Sequence, residues 1–102
     1  MKASKFTESK YLSAKVDKNE IEGKTFVIDA VFPEVINGTE KLCVRLRGLG
    51  KVLVLNQTNI VATMNAFGED TEMWPSHSVQ LNIIGIMFNG QIVDSIQVRP
   101  AK

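Results

Sequence analysis

Disulfide-forming cysteines, long apolar runs and an excess of either charge are all missing from this sequence. The single cysteine, Cys43, excludes an internal disulfide, so the sequence is not that of a secreted domain held together by disulfides. No apolar run approaches the length that spans a membrane, and residues 1–15 lack the apolar core of a signal peptide. We therefore expect a cytoplasmic protein without a membrane partner.

The charged and aromatic residues do not by themselves identify a ligand. Twelve basic and eleven acidic residues give a net charge of +1, so any electrostatic site must come from a local arrangement of charge. Aromatic residues make up 7% of the chain, which leaves few rings for stacking on bases. At 102 residues the chain has the size of one domain with a modest core.

Residues suited to catalysis or metal binding are scarce as well. The sequence has no Walker loop and no GxGxxG, HExxH or GxSxG motif, and one cysteine with one histidine does not make a zinc site. His77 has no nucleophile in a recognisable motif to serve, so we expect it to be a surface residue. Asp70 and Thr71 are expected to cap or turn the chain rather than to hold calcium. We expect no enzyme activity, no metal and no cofactor.

What the sequence does contain is a strand that leads directly into a helix, within KVLVLNQTNIVATMNAFGEDTEMW at residues 51–74. A run of strand type ends at Asn56 and Thr58, and either side chain can cap a helix N-terminus. Gly68 stands where a C-terminal cap is expected. Between the caps, apolar residues at helical spacing predict a stripe that packs on the core, made of Ile60, Val61, Met64 and Phe67.

Five segments have the composition and alternation of strands. The predicted strands cover 24–36, 41–47, 51–56, 78–88 and 91–99, and the predicted helix covers 58–67. Asn37-Gly38 and Asn89-Gly90 predict two tight hairpin turns. The interrupted alternation at Ile84-Gly85 indicates a β-bulge or a sharp coil, and Pro100 is expected to end the last strand.

Alternation along the first two strands also predicts which side chains face the core. In the first strand it places four residues on one face: Phe26, Ile28, Ala30 and Phe32. In the second strand Leu42, Val44 and Leu46 are expected to face inward. Cys43 is expected to face outward with its basic neighbours, in surroundings that do not lower a thiol pKa.

This order of elements predicts a mainly β fold with one helix between strands three and four. Five strands in a flat sheet would leave exposed edges, so we expect the sheet to close. The prediction is an OB-fold-like, five-stranded antiparallel barrel with the helix at one end. Residues 1–23 form a polar N-terminal arm, which Tyr11 and Leu12 attach to the domain, and residues 24–102 form the barrel domain.

The second half of the chain resembles a family of small proteins encoded by phages and prophages. The resemblance spans about residues 41–100 and rests on VLVLNQTNIVATMNAFGEDTEMW, the following NG turn and IVDSIQVRP. Phe67, Glu69 and the pair Pro75-Ser76 depart from the family pattern. The resemblance implies an OB-like barrel, a phage or mobile-element origin and a place among replication and recombination functions. No catalytic residue follows from it.

Basic residues on the outer strand faces are the candidate nucleic-acid contacts. In OB-folds this face binds oligonucleotides, and guanidinium groups pair with phosphates and stack on bases. The candidate phosphate contacts are Lys41, Arg45, Arg47, Lys51 and Arg99. The candidate stacking residues are Tyr11, Trp74 and Phe88. The alternatives are a solvated strand face and, for Trp74, a buried anchor of the acidic loop.

Two functions follow from these observations. The first is non-specific binding of single-stranded DNA or RNA, as an accessory to a replication or recombination protein. The second is a protein-interaction or assembly module with the same barrel and no nucleic-acid binding. The basic outer strand favours the first, whereas the balanced charge and the few aromatic residues favour the second.

Overall fold

Five strands and two helices make up most of this computed structural model, which describes residues 10–101. The strands are β1 Thr25–Ile36, β2 Thr39–Leu46, β3 Val52–Val54, β4 Ser78–Phe88 and β5 Gln91–Ala101. The helices are α1 Lys18–Ile21 and α2 Gln57–Phe67, and a 3-10 turn covers Thr71–Met73. All strand pairs are antiparallel and form one sheet in the order β3-β2-β1-β4-β5. The mainly β, five-stranded antiparallel fold is confirmed, and α2 follows β3 along the chain.

Both hairpin turns have the backbone geometry that Asn-Gly pairs favour. Asn37 and Gly38 have φ angles of 51° and 78°, and Asn89 and Gly90 have φ angles of 50° and 78°. Two successive residues with positive φ twist a turn in the sense that matches the flanking strands. The turns therefore set the β1–β2 and β4–β5 pairings, as predicted.

The sheet is not closed into a barrel, so that part of the prediction is wrong. The outer edge of the three-residue strand β3 is already paired with the chain that precedes α1. Leu12 N donates to Val52 O, and Val52 N donates to Lys10 O, both at 2.8 Å. Because these are backbone groups that a closing strand would use, β5 is kept away from β3.

The side chain of Asn59 on α2 binds the outer edge of β5, on the side where the sheet stays open between β5 and β3. Asn59 Nδ2 donates to Ile96 O at 2.9 Å, and Val98 N donates to Asn59 Oδ1 at 3.0 Å. The carboxamide of α2 thus takes the place of a neighbouring strand. A cleft of about 220 Å³ remains between the two edges, with Leu53 and Asp94 on opposite sides.

Helix α2 packs on the core through a different set of side chains from the predicted stripe. Asn59 and Thr63 are its buried residues, and their polar groups are satisfied by β5 and by the helix backbone. Ile60, Met64 and Phe67 are partly buried against the core. Val61 is 42% exposed, so its assignment to the buried stripe is wrong. The helix begins at the cap Asn56, whose Oδ1 accepts from Asn59 N at 2.8 Å.

The core lies between the inner face of the sheet and the segments that cross it. Ile21 of α1 is fully buried there, so at least this residue of the predicted arm belongs to the same core as the strands. The buried core residues are Ile21, Ile28, Val44, Leu46, Leu53, Leu55, Trp74, Val79, Leu81, Ile96 and Val98. Residues 1–9 of the arm and residue 102 lie outside the described residues, and the domain boundary at residue 23 stays a prediction.

The β4–β5 hairpin is longer and more regular than the sequence predicts. Its register is unbroken from Ser78 opposite Ala101 to Phe88 opposite Gln91, so the predicted bulge at Ile84-Gly85 is wrong. Gly85 instead makes room for a neighbour, because a Cβ built on it would lie 3.0 Å from Ile92 Cγ2. Pro100 does not end β5, since an edge strand tolerates a missing N–H that faces away from its partner.

Candidate nucleic-acid interface

A β-bulge in β1 brings an aromatic residue to the outer face of the sheet. The register between β1 and β2 shifts between Ile28 and Ala30, so the side chains beyond the shift change faces. Ile28 is buried in the core, whereas Phe32 lies opposite Cys43 on the outer face. The predicted common face of Phe26, Ile28, Ala30 and Phe32 is therefore wrong, because Asp29 is an extra residue in the register.

Arg45 lies over this outer-face aromatic residue. Its guanidinium carbon is 5.5 Å from the centroid of the Phe32 ring, which is the range of a cation–π contact. The Arg45 side chain is exposed, so the ring orients the guanidinium while its N–H donors stay accessible. A cation held in this way is suited to bind a phosphate or to stack on a base.

Lys41 and Arg45 share the outer face of β2, but a carboxylate lies beside them. Lys41 is exposed and faces Glu34 of β1 across the strand pair. Glu34 forms an ion pair with Lys10, which precedes the segment paired with β3. The positive charge at this face is therefore partly compensated, which limits the electrostatic attraction that it exerts on a polyanion.

Cys43 is buried although Lys41 and Arg45, which share its face of β2, are exposed. It lies on the outer face of the sheet as predicted, but this part of that face is covered. Its side chain has no exposed surface, and burial is the main cause that raises the pKa of the thiol. The charges of Glu34 and Lys10 act on it with opposite signs. The segment before α1 extends far enough to place Lys10 beside Glu34.

Arg47 follows β2 and forms an exposed ion pair with the bulged residue of β1. Its Nη2 lies 3.6 Å from Asp29 Oδ1, and both side chains are at least half exposed. Exposed pairs of this kind contribute about 0–1 kcal/mol, so a phosphate can replace the carboxylate at small cost. Arg47 therefore remains a candidate contact.

Lys51 is paired within the protein, which counts against its assignment to the interface. Its Nζ lies 2.9 Å from Oδ1 of Asp17, a carboxylate that is only 5% exposed. Burial alone would raise the pKa of Asp17, but the hydrogen bonds from Lys51 and from Ser13 N hold that pKa below its usual value. The pair fixes the segment before α1 to the start of β3.

Arg99 and Phe88 lie on the other side of the sheet from β2. Arg99 is exposed on β5, opposite Gln80. β5 is three strands away from β2, so Arg99 and Arg45 are separated by about 14 Å along the sheet. Phe88 is 62% exposed beside the β4–β5 turn. The structure therefore does not bring these residues together with Lys41 and Arg45 into one compact site.

Tyr11 lies at the edge of β3, where it forms a parallel bridge with Val52. Its ring is partly buried, and Lys10 Nζ lies 5.2 Å from the ring centroid. The contact confirms the expectation that Tyr11 and Leu12 attach the arm to the domain. Tyr11 borders the outer face, but Lys10 already lies against its ring.

Trp74 is an anchor of the loop that follows α2. Its side chain is 1% exposed, and Nε1 donates to Gly68 O at 2.8 Å. Of its two proposed roles the buried anchor is confirmed and the stacking role is wrong, because the ring presents no free face. His77 is an exposed residue, as expected, and its ring stacks on Phe67 with a centroid distance of 4.3 Å.

Other kinds of site find little support between residues 10 and 101. No three His, Cys, Asp or Glu side chains come together there in a way that would hold a metal ion. The helices in this part of the chain fall short of the apolar length that a membrane span requires. Comparisons of the chain with protein families, with curated proteins and with solved structures find no match.

Sequence reasoning missed three residues that shape this region: Phe32, Asp17 and Asn59. The face of the sheet on which Phe32 lies depends on a β-bulge that the local sequence pattern does not predict. Asp17 stands in a polar segment that reads as solvated, and only its three-dimensional pairing with Lys51 shows its role. Asn59 was recognisable as part of a helix N-terminal turn, but its bond to β5 joins residues far apart in the chain.

Proposed function

We propose that the chain is an OB-like module whose barrel stays open, and that it binds single-stranded nucleic acid non-specifically through the outer face of β1 and β2. The observation that carries this proposal is the exposed guanidinium of Arg45 held over the ring of Phe32. OB-folds are partly open barrels that bind oligonucleotides on the same face of the sheet. Lys41 and Arg47 extend the cationic surface on either side of Arg45.

Binding at this face would combine charge with one stacking position. Arg45 pairs with a phosphate or stacks on a base, and Phe32 fixes the plane of its guanidinium. Lys41 neutralises a second phosphate, and Arg47 exchanges Asp29 for a third. The nearby carboxylates Glu34 and Asp29 keep the affinity low and make it sensitive to salt. Nothing in this arrangement reads base edges, so little sequence preference is expected.

The salt dependence of binding tests the proposal. Three phosphate contacts give a slope of log K against log salt of about −2 for a single strand. Arg45→Ala should flatten that slope by about 0.7, because one contact is lost. Phe32→Leu should weaken binding about tenfold and leave the slope unchanged, since it removes a ring and no charge. The measurement is fluorescence anisotropy of labelled oligo-dT at several low salt concentrations.

Arg99→Ala is the matched control, because Arg99 is equally basic and exposed but lies outside the proposed footprint. Its slope and affinity should equal those of the unmodified protein. A full slope in Arg45→Ala, or a loss in Arg99→Ala of the same size, would place binding on another face. No binding at low salt and micromolar protein would reject nucleic-acid binding altogether.

The second candidate function is a protein-interaction module without nucleic-acid binding. The observation that favours it is the β4–β5 hairpin, where five large apolar side chains are exposed near the turn. Exposed apolar residues gathered in one place are typical of protein-binding surfaces. This candidate predicts that the apolar hairpin, and not Arg45, controls the function of the chain.

The resemblance to small phage and prophage proteins supports a setting for either function. On that resemblance we propose a phage or mobile-element origin and a partner among replication or recombination proteins. The composition supports a cytoplasmic location as part of the same proposal. A test is co-purification of the tagged full chain from cells in which its neighbouring genes are expressed. Recovery of such a protein only in the presence of oligo-dT would favour the first candidate function.

A further inference from the structure

The outer edge of β5 has backbone groups without a partner beside the cleft. Ile96 O and Val98 N point away from β4, because Asn59 on α2 binds both. Backbone groups alternate between the two edges of a strand, so the N–H and C=O groups of Ile92 and Asp94 point the same way. Among residues 10–101 these groups have no hydrogen-bond partner. An edge of this kind is a template for one further strand.

The cleft at this edge has room for a chain segment but not for a large ligand. It separates Asp94 and Ser95 of β5 from Leu12 and Leu53 on the opposite side. Its volume of about 220 Å³ lies below the range of about 300–1,000 Å³ that is usual for drug-sized ligands. The atoms that line it are mainly polar. An extended peptide is suited to such a place, because backbone bonds to one strand edge hold it without an enclosing pocket.

Asp94 provides the charge of this cleft. It is exposed, and of the described residues that line the cleft it alone is charged. Between residues 10 and 101 its carboxylate forms no ion pair or hydrogen bond. A phosphate would be repelled here, because no cation among the described lining residues neutralises it. A lysine or arginine side chain of a peptide would instead meet an available carboxylate.

An apolar surface continues from Asp94 toward the hairpin turn. Beyond Leu81 the hairpin extends as a two-stranded ribbon, since β4 pairs there with β5 alone. Ile92 lies on the same face of this ribbon as Asp94, and Met87 faces Ile92 across it. Ile92 is 75% exposed and Met87 is 70% exposed. Gly85 lies opposite Asp94 and has no side chain to cover the carboxylate. A strand added to β5 would therefore meet a carboxylate and, two residues further along, an apolar pair.

We propose that an extended peptide of a partner protein adds to the edge of β5, with a basic residue opposite Asp94 and an apolar residue opposite Ile92. The strand pairs of the sheet are antiparallel, and antiparallel pairs are slightly more stable per residue, so the peptide runs antiparallel to β5. From its N-terminus it then reads basic residue, any residue, apolar residue. Asn59 occupies the edge at Ile96 and so limits the paired segment on its N-terminal side. The proposal goes beyond nucleic-acid binding on β1 and β2 and holds without it.

Binding of matched peptides to the full chain tests the charge preference. The probe is a labelled peptide of about nine residues with lysine at its centre, valine two positions later and threonine elsewhere; a second peptide has glutamate in place of lysine. Fluorescence anisotropy should show tighter binding of the lysine peptide. Asp94→Lys should reverse the preference, with a change of about tenfold for each peptide, because an attractive cross-strand pair becomes repulsive. Glu69→Lys is the matched control, since Glu69 is exposed outside the cleft, and it should keep the original preference.

N-methylation of the lysine peptide tests the addition of a strand. In the proposed pairing the N–H groups of lysine and valine point toward β5, whereas the N–H of the threonine between them points away. Methylation at lysine or valine should weaken binding about tenfold, and methylation at that threonine should change it less than about twofold. On peptide binding the amides of Ile92 and Asp94 should gain protection from hydrogen exchange. The amide of Val93, which faces β4, should gain little.

Four results would overturn the proposal. The first is that neither peptide binds at millimolar concentration. The second is that Asp94→Lys still prefers the lysine peptide, which would place the basic residue elsewhere. The third is that methylation has the same effect at all three positions, which would reject pairing with β5. The fourth is displacement of the peptide by oligo-dT, or a dimer in sedimentation velocity that the peptide dissociates, because the cleft would then belong to nucleic acid or to a second copy. Binding of oligo-dT without displacement leaves the proposal intact.

Discussion

Asn59 shows how one side chain can replace a strand. Its carboxamide donates to Ile96 O and accepts from Val98 N, the two bonds that a neighbouring backbone would make. The residue is 3% exposed, so water does not compete for these groups. The sequence suggests an asparagine in the first turn of a helix, which usually serves the helix itself. Its bond to a strand almost forty residues later could not be read from local pattern.

Removal of this carboxamide should cost more than the loss of an ordinary surface polar residue. Asn59→Leu keeps a similar size but leaves a buried carbonyl and a buried N–H without partners, at about 1–3 kcal/mol each. We expect the free energy of unfolding to fall by about 3 kcal/mol or more in urea titrations, and the Val98 amide to lose protection from hydrogen exchange. Asn65→Leu, on the exposed side of the same helix, is the control. Equal effects of the two variants would show that the bonds to β5 contribute nothing.

At the scale of the elements, the sequence predicts the boundaries of the strands and the helix. It does not predict on which face of the sheet each β1 side chain lies, or that the sheet stays open. All five strands and α2 lie within about two residues of their predicted bounds, because alternation, caps and Asn-Gly turns are local signals. The bulge at Asp29 is not local, since it depends on how β1 fits β2. The same limit explains the candidate site, where the positions of Lys41 and Arg45 were predicted but the ring of Phe32 beneath Arg45 was not.

The orientation of α2 gives a prediction for the element as a whole. Thr63→Asp should lower the free energy of unfolding by several kcal/mol, because Thr63 is 1% exposed and the carboxylate would have no partner. Val61→Asp should change it by less than about 0.5 kcal/mol, because Val61 lies on the exposed side. Chemical denaturation followed by circular dichroism measures both. A larger loss of stability in Val61→Asp than in Thr63→Asp would instead support the helix orientation predicted from the apolar stripe.

For the molecule as a whole, the open sheet is stabilised by contacts at its two edges. The segment before α1 pairs with β3, and the ion pair between the buried Asp17 and the partly exposed Lys51 fixes that segment. Asn59 holds β5 at the other edge. The sheet therefore does not need to close on itself to satisfy its edge strands. Removal of one partner of a buried ion pair is costly, so Asp17 should influence the stability of the entire fold.

The free energy of unfolding should depend on pH through the ionisation of Asp17. Its pKa in the folded protein lies below its value in the unfolded chain, so its contribution is present at neutral pH. As the pH falls below about 4, the unfolded state takes up the proton first and the contribution is lost. Asp17→Asn should thus be clearly less stable than the unmodified protein at pH 7, and the difference should shrink in acid. The measurement is urea denaturation at a series of pH values.

Asp29→Asn serves as the control for this prediction. Asp29 is half exposed and forms only the distant pair with Arg47, so its replacement should have a small effect at every pH. A difference between Asp17→Asn and the unmodified protein that stays constant from neutral pH into acid would contradict the assigned role of the carboxylate.

The regular β4–β5 hairpin also has a consequence for how the chain folds. Its eleven facing residue pairs, Ser78–Ala101 to Phe88–Gln91, are close in sequence around one tight turn, so they can form within microseconds. The contact of β1 with β4 has to close a loop of more than fifty residues and is expected to form later. During that interval the ribbon, in which Asp94 and Arg99 are the charged residues, has both faces in water. Refolding yield should therefore fall with protein concentration, and should do so less steeply when a charge replaces Ile92.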